Sequence, residues 1–252
     1  MSRSLSSLAK RRKTIQTTQK ITNAMKLVSM SRVQKYRREQ LKYEPVYKHV
    51  LNIPSEPYVS DKKRLYVAFI PDLGLVSAYS RTLYETISQM EDLTMVIIGT
   101  QGFEKFKESQ KIDVLNNRMS SENLDAGLIQ EFVRLHVDEY QICTILPEVN
   151  PAGGIEFNIL DQASKLKRDY DMVYEPNYEL ANQAYQQVYS ETMLLNAYYV
   201  SKVSEYTMRR VAMEKATDNA DDMLYDLQLQ YNRLRQEKIT EEIADLTQAE
   251  DE

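Results

Sequence analysis

The sequence predicts a mixed α+β and α/β protein: a long antiparallel coiled coil of N- and C-terminal helices plus a small inserted α/β domain with a mainly parallel sheet. Three observations predict it. No Gly or Pro occurs between Leu180 and Glu252, so nothing there interrupts a helix, and at 1.5 Å per residue such a run reaches roughly 110 Å. The opening segment is also helical in pattern and strongly basic. Between the two ends, short apolar runs alternate with helical stretches and turn residues, the pattern of strand–helix units on a parallel sheet. A helix this long has to bury its apolar stripe against another helix or inside a partner, which points to a mechanical or architectural role.

The first segment, about Ser4 to Leu51, carries apolar residues at Leu5, Leu8, Ile15, Ile21, Met25, Val28 and Tyr36, broadly at helical spacing. The stripe is narrow, as in a coiled-coil seam. Pro45 is expected to kink or end this helix, and Pro54 and Pro57 to mark a linker. In the middle segment, Leu65–Ile70 and Met95–Ile98 read as buried strands, followed by Ile112–Leu115, Tyr140–Leu146 and Ile155–Leu160. Helices are expected over Ser77–Glu91, Gln101–Glu108 and Ser121–Val137. Pro71-Asp72-Leu73-Gly74 and Pro151-Ala152-Gly153-Gly154 have turn chemistry. From about Asn177 a seam runs through Tyr198, Val203, Met208, Val211 and Ala212. It continues through Ala216, Ala220, Met223, Leu227, Tyr231 and Leu234 to Ile239, Ile243 and Leu246. The expected divisions are residues 1–52 for the first coiled-coil helix, 53–176 for the α/β foot domain and 177–252 for the second helix. The economical arrangement packs the α/β domain at the open end of the coil.

With 42% hydrophobic and 27% charged residues in 252, the chain is not disordered by composition. Its single cysteine, Cys143, excludes an intrachain disulfide and a cysteine-based zinc site. No apolar run approaches the ~20 residues that span a bilayer. The net charge of −5 conceals an asymmetry: residues 1–42 hold twelve Lys or Arg and one acid, Glu39, whereas residues 237–252 hold seven acids and one base, Lys238. The start, MSRSLSSLAKRRK, has the composition of a transit peptide, but the helical pattern begins at Leu5 and Leu8, and a helix is the expectation.

No catalytic or metal-binding constellation emerges. Gly99-Thr100-Gln101-Gly102 lacks the Lys-Ser/Thr of a phosphate loop and reads as a turn. His49 and His136, the only histidines, lie in different segments, against a shared metal or a nucleophilic triad. Asp218, Asp221 and Asp222 sit in a helical pattern without the turning glycine of a calcium loop. The basic run Lys10, Arg11, Arg12, Lys13, Arg32, Lys35, Arg37 and Arg38 would suit phosphate contacts. No aromatic stacking platform accompanies it, so nucleic acid is a distant alternative and none is expected.

Two blocks carry a resemblance. Arg12-Lys13-Thr14-Ile15 followed by Thr18-Gln19-Lys20-Ile21-Thr22-Asn23-Ala24-Met25-Lys26-Leu27-Val28-Ser29 resembles the N-terminal helix of the γ subunit of F-type ATP synthases. Met213-Glu214-Lys215-Ala216-Thr217-Asp218-Asn219-Ala220, Tyr231-Asn232-Arg233-Leu234-Arg235-Gln236 and Ile239-Thr240-Glu241-Glu242-Ile243 resemble its C-terminal helix. The resemblance implies the central rotor shaft of a rotary motor, its terminal helices coiled inside a ring of three α and three β subunits. ATP, ADP and magnesium would be bound by those partners, with no cofactor and no catalysis in this chain. It implies that Met25, Arg209, Arg235, Gln236, Thr240 and Glu242 match shaft positions facing the ring. It also implies that the α/β domain meets an ε subunit and a membrane c-ring, at the cytoplasmic face of a bacterial cell membrane. The chain departs from the family pattern at Ser77, where a glycine is usual, and in the acidic stretch Asp245-Leu246-Thr247-Gln248-Ala249-Glu250. Two readings therefore stand: a proton-coupled synthase shaft, and the shaft of a repurposed F1-like ATPase motor not coupled to proton flow.

Overall fold

The computed structural model describes residues 5–90, 92–122, 124–150, 153–169 and 171–250, and only the backbone of residues 242 and 245–250. The elements, in order, are α1 (Leu5–Leu51), β1 (Ser55–Tyr58), β2 (Lys63–Phe69), α2 (Ser77–Ser88) and β3 (Leu93–Ile98). They continue with α3 (Phe103–Lys107), β4 (Ile112–Val114), α4 (Ala126–His136), β5 (Tyr140–Val149), β6 (Ile155–Leu160), β7 (Ala163–Leu166) and α5 (Tyr178–Glu250). The chain divides into two compact units that cut across both long helices. One joins Met1–Ser29 with Arg210–Glu252, and the other is Met30–Arg209.

In the first unit the two terminal helices run antiparallel. Gln19 Nε2 donates to Asp221 Oδ1, the Thr22 and Thr217 hydroxyls lie 2.8 Å apart, and Lys26 Nζ is 3.9 Å from Glu214. Rising numbers on α1 thus meet falling numbers on α5. Along α5 the buried and half-buried positions Met213, Thr217, Ala220, Leu224, Leu227, Tyr231 and Leu234 step by four and three, the spacing of a supercoiled seam. The expected seam is not buried throughout. Ile21 and Val28 are exposed on α1, as are Met223, Ile239 and Ile243 on α5, and the side chain of Leu246 lies outside the described residues. On α1 the interior places belong instead to Thr22 and Ser29.

The second unit is built on a five-stranded sheet of order β4-β3-β2-β5-β6, parallel except for the antiparallel β5–β6 pair. Both faces are covered, which is why β2 reads as a continuous apolar run. Tyr66, Ala68 and Ile70 join Tyr79, Leu83 and Ile87 of α2 and Phe103 and Phe106 of α3. On the other face Leu65, Val67 and Phe69 meet Ile129 and Val133 of α4 and Leu194, Ala197, Tyr198 and Tyr206 of α5. Tyr36 of α1 stacks on Tyr206 at 5.7 Å and stands edge-on to Tyr198 at 6.2 Å.

Three local features differ from expectation. Pro45 does not end α1, which continues to Leu51. Tyr43 packs on Tyr199 and Val50 is buried, and this tertiary contact offsets the ~3 kcal/mol that an interior proline costs. Pro57 lies in a strand, not a linker, since β1 pairs antiparallel with β7 through Ser55↔Leu166 and Pro57↔Ser164. A two-stranded ribbon is all edge, where a missing N–H is tolerated. Helix α4 begins at Ala126 instead of Ser121, capped by Asp125, whose carboxylate accepts from the Leu128 N–H at 2.9 Å. Asp125→Ala should lower the stability of this unit by about 1 kcal/mol. Equilibrium unfolding checks this, and no change in midpoint would remove the cap from the account.

Candidate functional site

The six residues singled out from the sequence fall into different environments. Arg235, Gln236 and Thr240 are exposed on α5, and Met25 is half-buried beside the seam of α1. Gln236 and Thr240 are four apart and share one helix face, while Arg235 and position 242 are seven apart and share another. The side chain of Glu242 lies outside the described residues. Among the described residues Arg235 takes part in no hydrogen bond or ion pair, whereas its neighbour Arg233 is engaged with Glu237 at 2.9 Å. The Arg235 guanidinium is therefore free for a partner.

The structure places Arg209 elsewhere. It is 3% exposed, inside the second unit, where Nη2 donates to Glu205 Oε1 at 2.8 Å and to the Leu73 carbonyl oxygen at 2.9 Å. Its guanidinium also lies over the Tyr206 ring. Burial, then the Glu205 carboxylate, pushes the Tyr206 hydroxyl up to about 12. An outward-facing role for Arg209 is not what this geometry offers: an arginine buried beside a glutamate is held by its own chain.

Sequence reasoning missed the polar seam. Gln19, Thr22, Lys26 and Ser29 occupy the interior or its margin on α1, and three of them reach α5. Asp221, one of the three helical aspartates that do not suit a calcium loop, is the acceptor for Gln19. Polar groups in a helix seam cost stability and fix register, so this unit favours one alignment over maximal adhesion. Outside the seam, Ile21, Leu27, Val28, Tyr225 and Leu229 are exposed. These apolar side chains lie singly along the two paired helices, where a partner can cover them.

The remaining candidates resolve into structure. Gly99 and Gly102 adopt positive φ at the ends of β3 and α3, as turn residues. His136 stacks on Phe132, with Nδ1 2.8 Å from the Phe132 carbonyl oxygen, and His49 is exposed on α1. Cys143 is fully buried, and burial pushes its thiol up to about 12. Among the described residues no group of three or more His, Cys, Asp or Glu is placed to hold a metal ion. No described helix is long and apolar enough to cross a membrane.

Comparison with known proteins follows this geometry. The family model described as ATP synthase matches residues 4–250. The ATP synthase gamma chain of Alkaliphilus metalliredigens is 31% identical over 284 residues, covering 95% of this chain and 95% of that one. That of Ureaplasma parvum is 27% identical, covering 99% and 100%. Among solved structures, a chain of the Euglena gracilis mitochondrial ATP synthase OSCP/F1/c-ring assembly shares the fold. Its TM-score is 0.67 at 16% identity, covering 96% of this chain and 93% of that one.

Proposed function

The chain belongs to the ATP synthase gamma-chain family, the rotor shafts of that machine, and from that premise we propose that it turns inside a ring of three α and three β subunits. Its rotation couples to ATP hydrolysis or synthesis at sites in the ring. The observation that carries this reading is the first unit. Two antiparallel helices are aligned by Gln19–Asp221 and Thr22–Thr217, and their outer faces present uncovered apolar side chains and Arg235, which has no bonding partner among the described residues. A rotating shaft needs a fixed internal register and an outer surface whose contacts form and break in turn. Polar seam residues supply the first. Scattered apolar and charged groups, each worth little at an exposed contact, supply the second.

On this reading the chain is non-catalytic, and ATP, ADP and magnesium are held by the partner subunits. The inserted α/β domain is the place of attachment for an ε subunit and a membrane c-ring, which puts the complex peripherally at the cytoplasmic face of the cell membrane. Native mass spectrometry of the complex isolated through this chain at low salt tests the proposal. Three copies each of two ATPase-type subunits are expected. An isolated chain, or one carrying only nucleic acid, would overturn it. The remaining masses separate a synthase, which retains a membrane ring, from a motor repurposed for other work, which does not.

A further inference from the structure

Lys202 of α5 is 2% exposed, an uncommon place for an ammonium group. Its Nζ lies 3.1 Å from Glu205 Oε2 and 3.7 Å from Asp72 Oδ2. Glu205 binds Arg209, which in turn holds the Leu73 carbonyl. Asp72 Oδ2 also accepts from Ser121 N–H at 2.9 Å, Ser121 Oγ at 2.6 Å and Ser120 Oγ at 3.1 Å. The Asp72 backbone oxygen accepts from Thr100 Oγ1 at 2.9 Å. Directional bonds thus tie α5 to the loop after β2, and that loop in turn to the segments after β3 and before α4.

Folding alone does not account for this cluster. A buried ion pair stabilises no better than apolar residues of the same volume. Here Asp72 Oδ1 and Arg209 Nε and Nη1 are buried without a hydrogen-bond partner among the described residues, which adds cost. What charge pairs add over apolar packing is a fixed register. Apolar side chains slide past one another cheaply, whereas an ion drawn from its partner inside the protein finds no water to replace it. A helix that carries torque is loaded about its own axis, and lateral bonds to a neighbouring segment oppose rotation in that sense.

We propose that Asp72, Lys202, Glu205 and Arg209 form a torque clamp, locking the rotation of α5 to that of the inserted domain. This rests on the shaft reading above. The test uses the chain assembled with its α and β subunits and a bead attached through Glu156→Cys, an exposed position on β6, where buried Cys143 does not compete. The Asp72→Asn/Lys202→Met double variant removes both charges of one pair at nearly constant volume and leaves Glu205–Arg209 in place. Without load, ATP hydrolysis and rotation should stay within about twofold of the parent. Against viscous load, the double variant should turn the bead about threefold or more fewer times per ATP, and Lys202→Arg should behave like the parent. A merely structural role would lower assembly and unloaded turnover together and leave the loaded ratio alone. An unchanged loaded ratio would overturn the clamp. Should the double variant fail to assemble, Asp72→Asn alone, which keeps the Lys202–Glu205 pair, must slip in the same direction or the clamp is wrong. If the parent complex hydrolyses ATP without turning the bead, the shaft reading fails and the clamp fails with it.

Discussion

Gly99→Ala should destabilise the second unit by about 3–5 kcal/mol. Gly99 leaves β3 with φ of +133°, a region L side chains rarely adopt. A Cβ there would run into the Ile70 carbonyl oxygen and lie 2.5 Å from Ile70 Cγ1 and 2.7 Å from the carbonyl carbon. Nothing nearby can yield. Ile70 is 1% exposed within the core, its N–H donates to the Ile98 carbonyl oxygen at 2.8 Å, and the Gly99 N–H donates to Met119. Backbone strain costs about 1–3 kcal/mol and the clash a similar amount. For a unit of this size that lowers the melting temperature by about 10 °C or more, readable by calorimetry. Gly102→Ala is the internal comparison. It also has positive φ, at +80°, but no atom lies within 4 Å of its Cβ position. It should cost only about 1 kcal/mol. Equal losses from the two substitutions would show that close approach to Ile70 is not what requires glycine at position 99.

The inserted domain was legible because both faces of its sheet are covered, so its strands appear as apolar runs flanked by turn residues. Gly99 and Gly102 were legible as turn chemistry, but the chain alone does not reveal what they lie against. The ribbon of β1 and β7 was hidden for the opposite reason. Ser55–Tyr58 carries a proline and Ala163–Leu166 no apolar run, and their pairing is set by a contact across more than a hundred residues. On α1 the seam follows a heptad through Leu8, Ile15, Thr22, Ser29, Tyr36, Tyr43 and Val50, with Gln19, Lys26, Val33, Gln40 and Tyr47 between. A search for apolar residues at helical spacing passes over Thr22 and Ser29 and selects Ile21 and Val28 beside them, which are exposed. A seven-residue period tested without regard to polarity would have found it. The buried cluster was invisible for a related reason. Lysine and arginine are residue types that usually stay exposed, so nothing in the chain alone marks Lys202 and Arg209 as buried, and only the fold brings Asp72 beside Lys202.

Arg235→Glu should alter ATP turnover of the assembled complex by about threefold or more at low salt while changing the stability of the chain by less than about 0.5 kcal/mol. The two effects separate because Arg235 is exposed on α5 and has no bonding partner among the described residues. Reversing its charge disturbs nothing inside the chain, and a glutamate there stands three residues before Lys238, a mildly favourable spacing on a helix. Any large effect must come from the surface that α5 turns against, where a like-charge encounter costs free energy at one rotary position and not at others. That cost is electrostatic and exposed, so it should shrink as ionic strength rises and the screening length falls below about 8 Å. Glu242→Lys, seven residues on and on the same helix face, should act on turnover as well, and the two reversals combined should not simply add if both positions meet one charged region of the ring. The measurement is steady-state hydrolysis against salt concentration for the parent, both single variants and the double. Turnover that matches the parent at every salt concentration in both single variants would mean that this face of α5 touches nothing charged. The bearing surface would then have to be sought among the exposed apolar residues Ile21, Leu27, Val28, Tyr225 and Leu229.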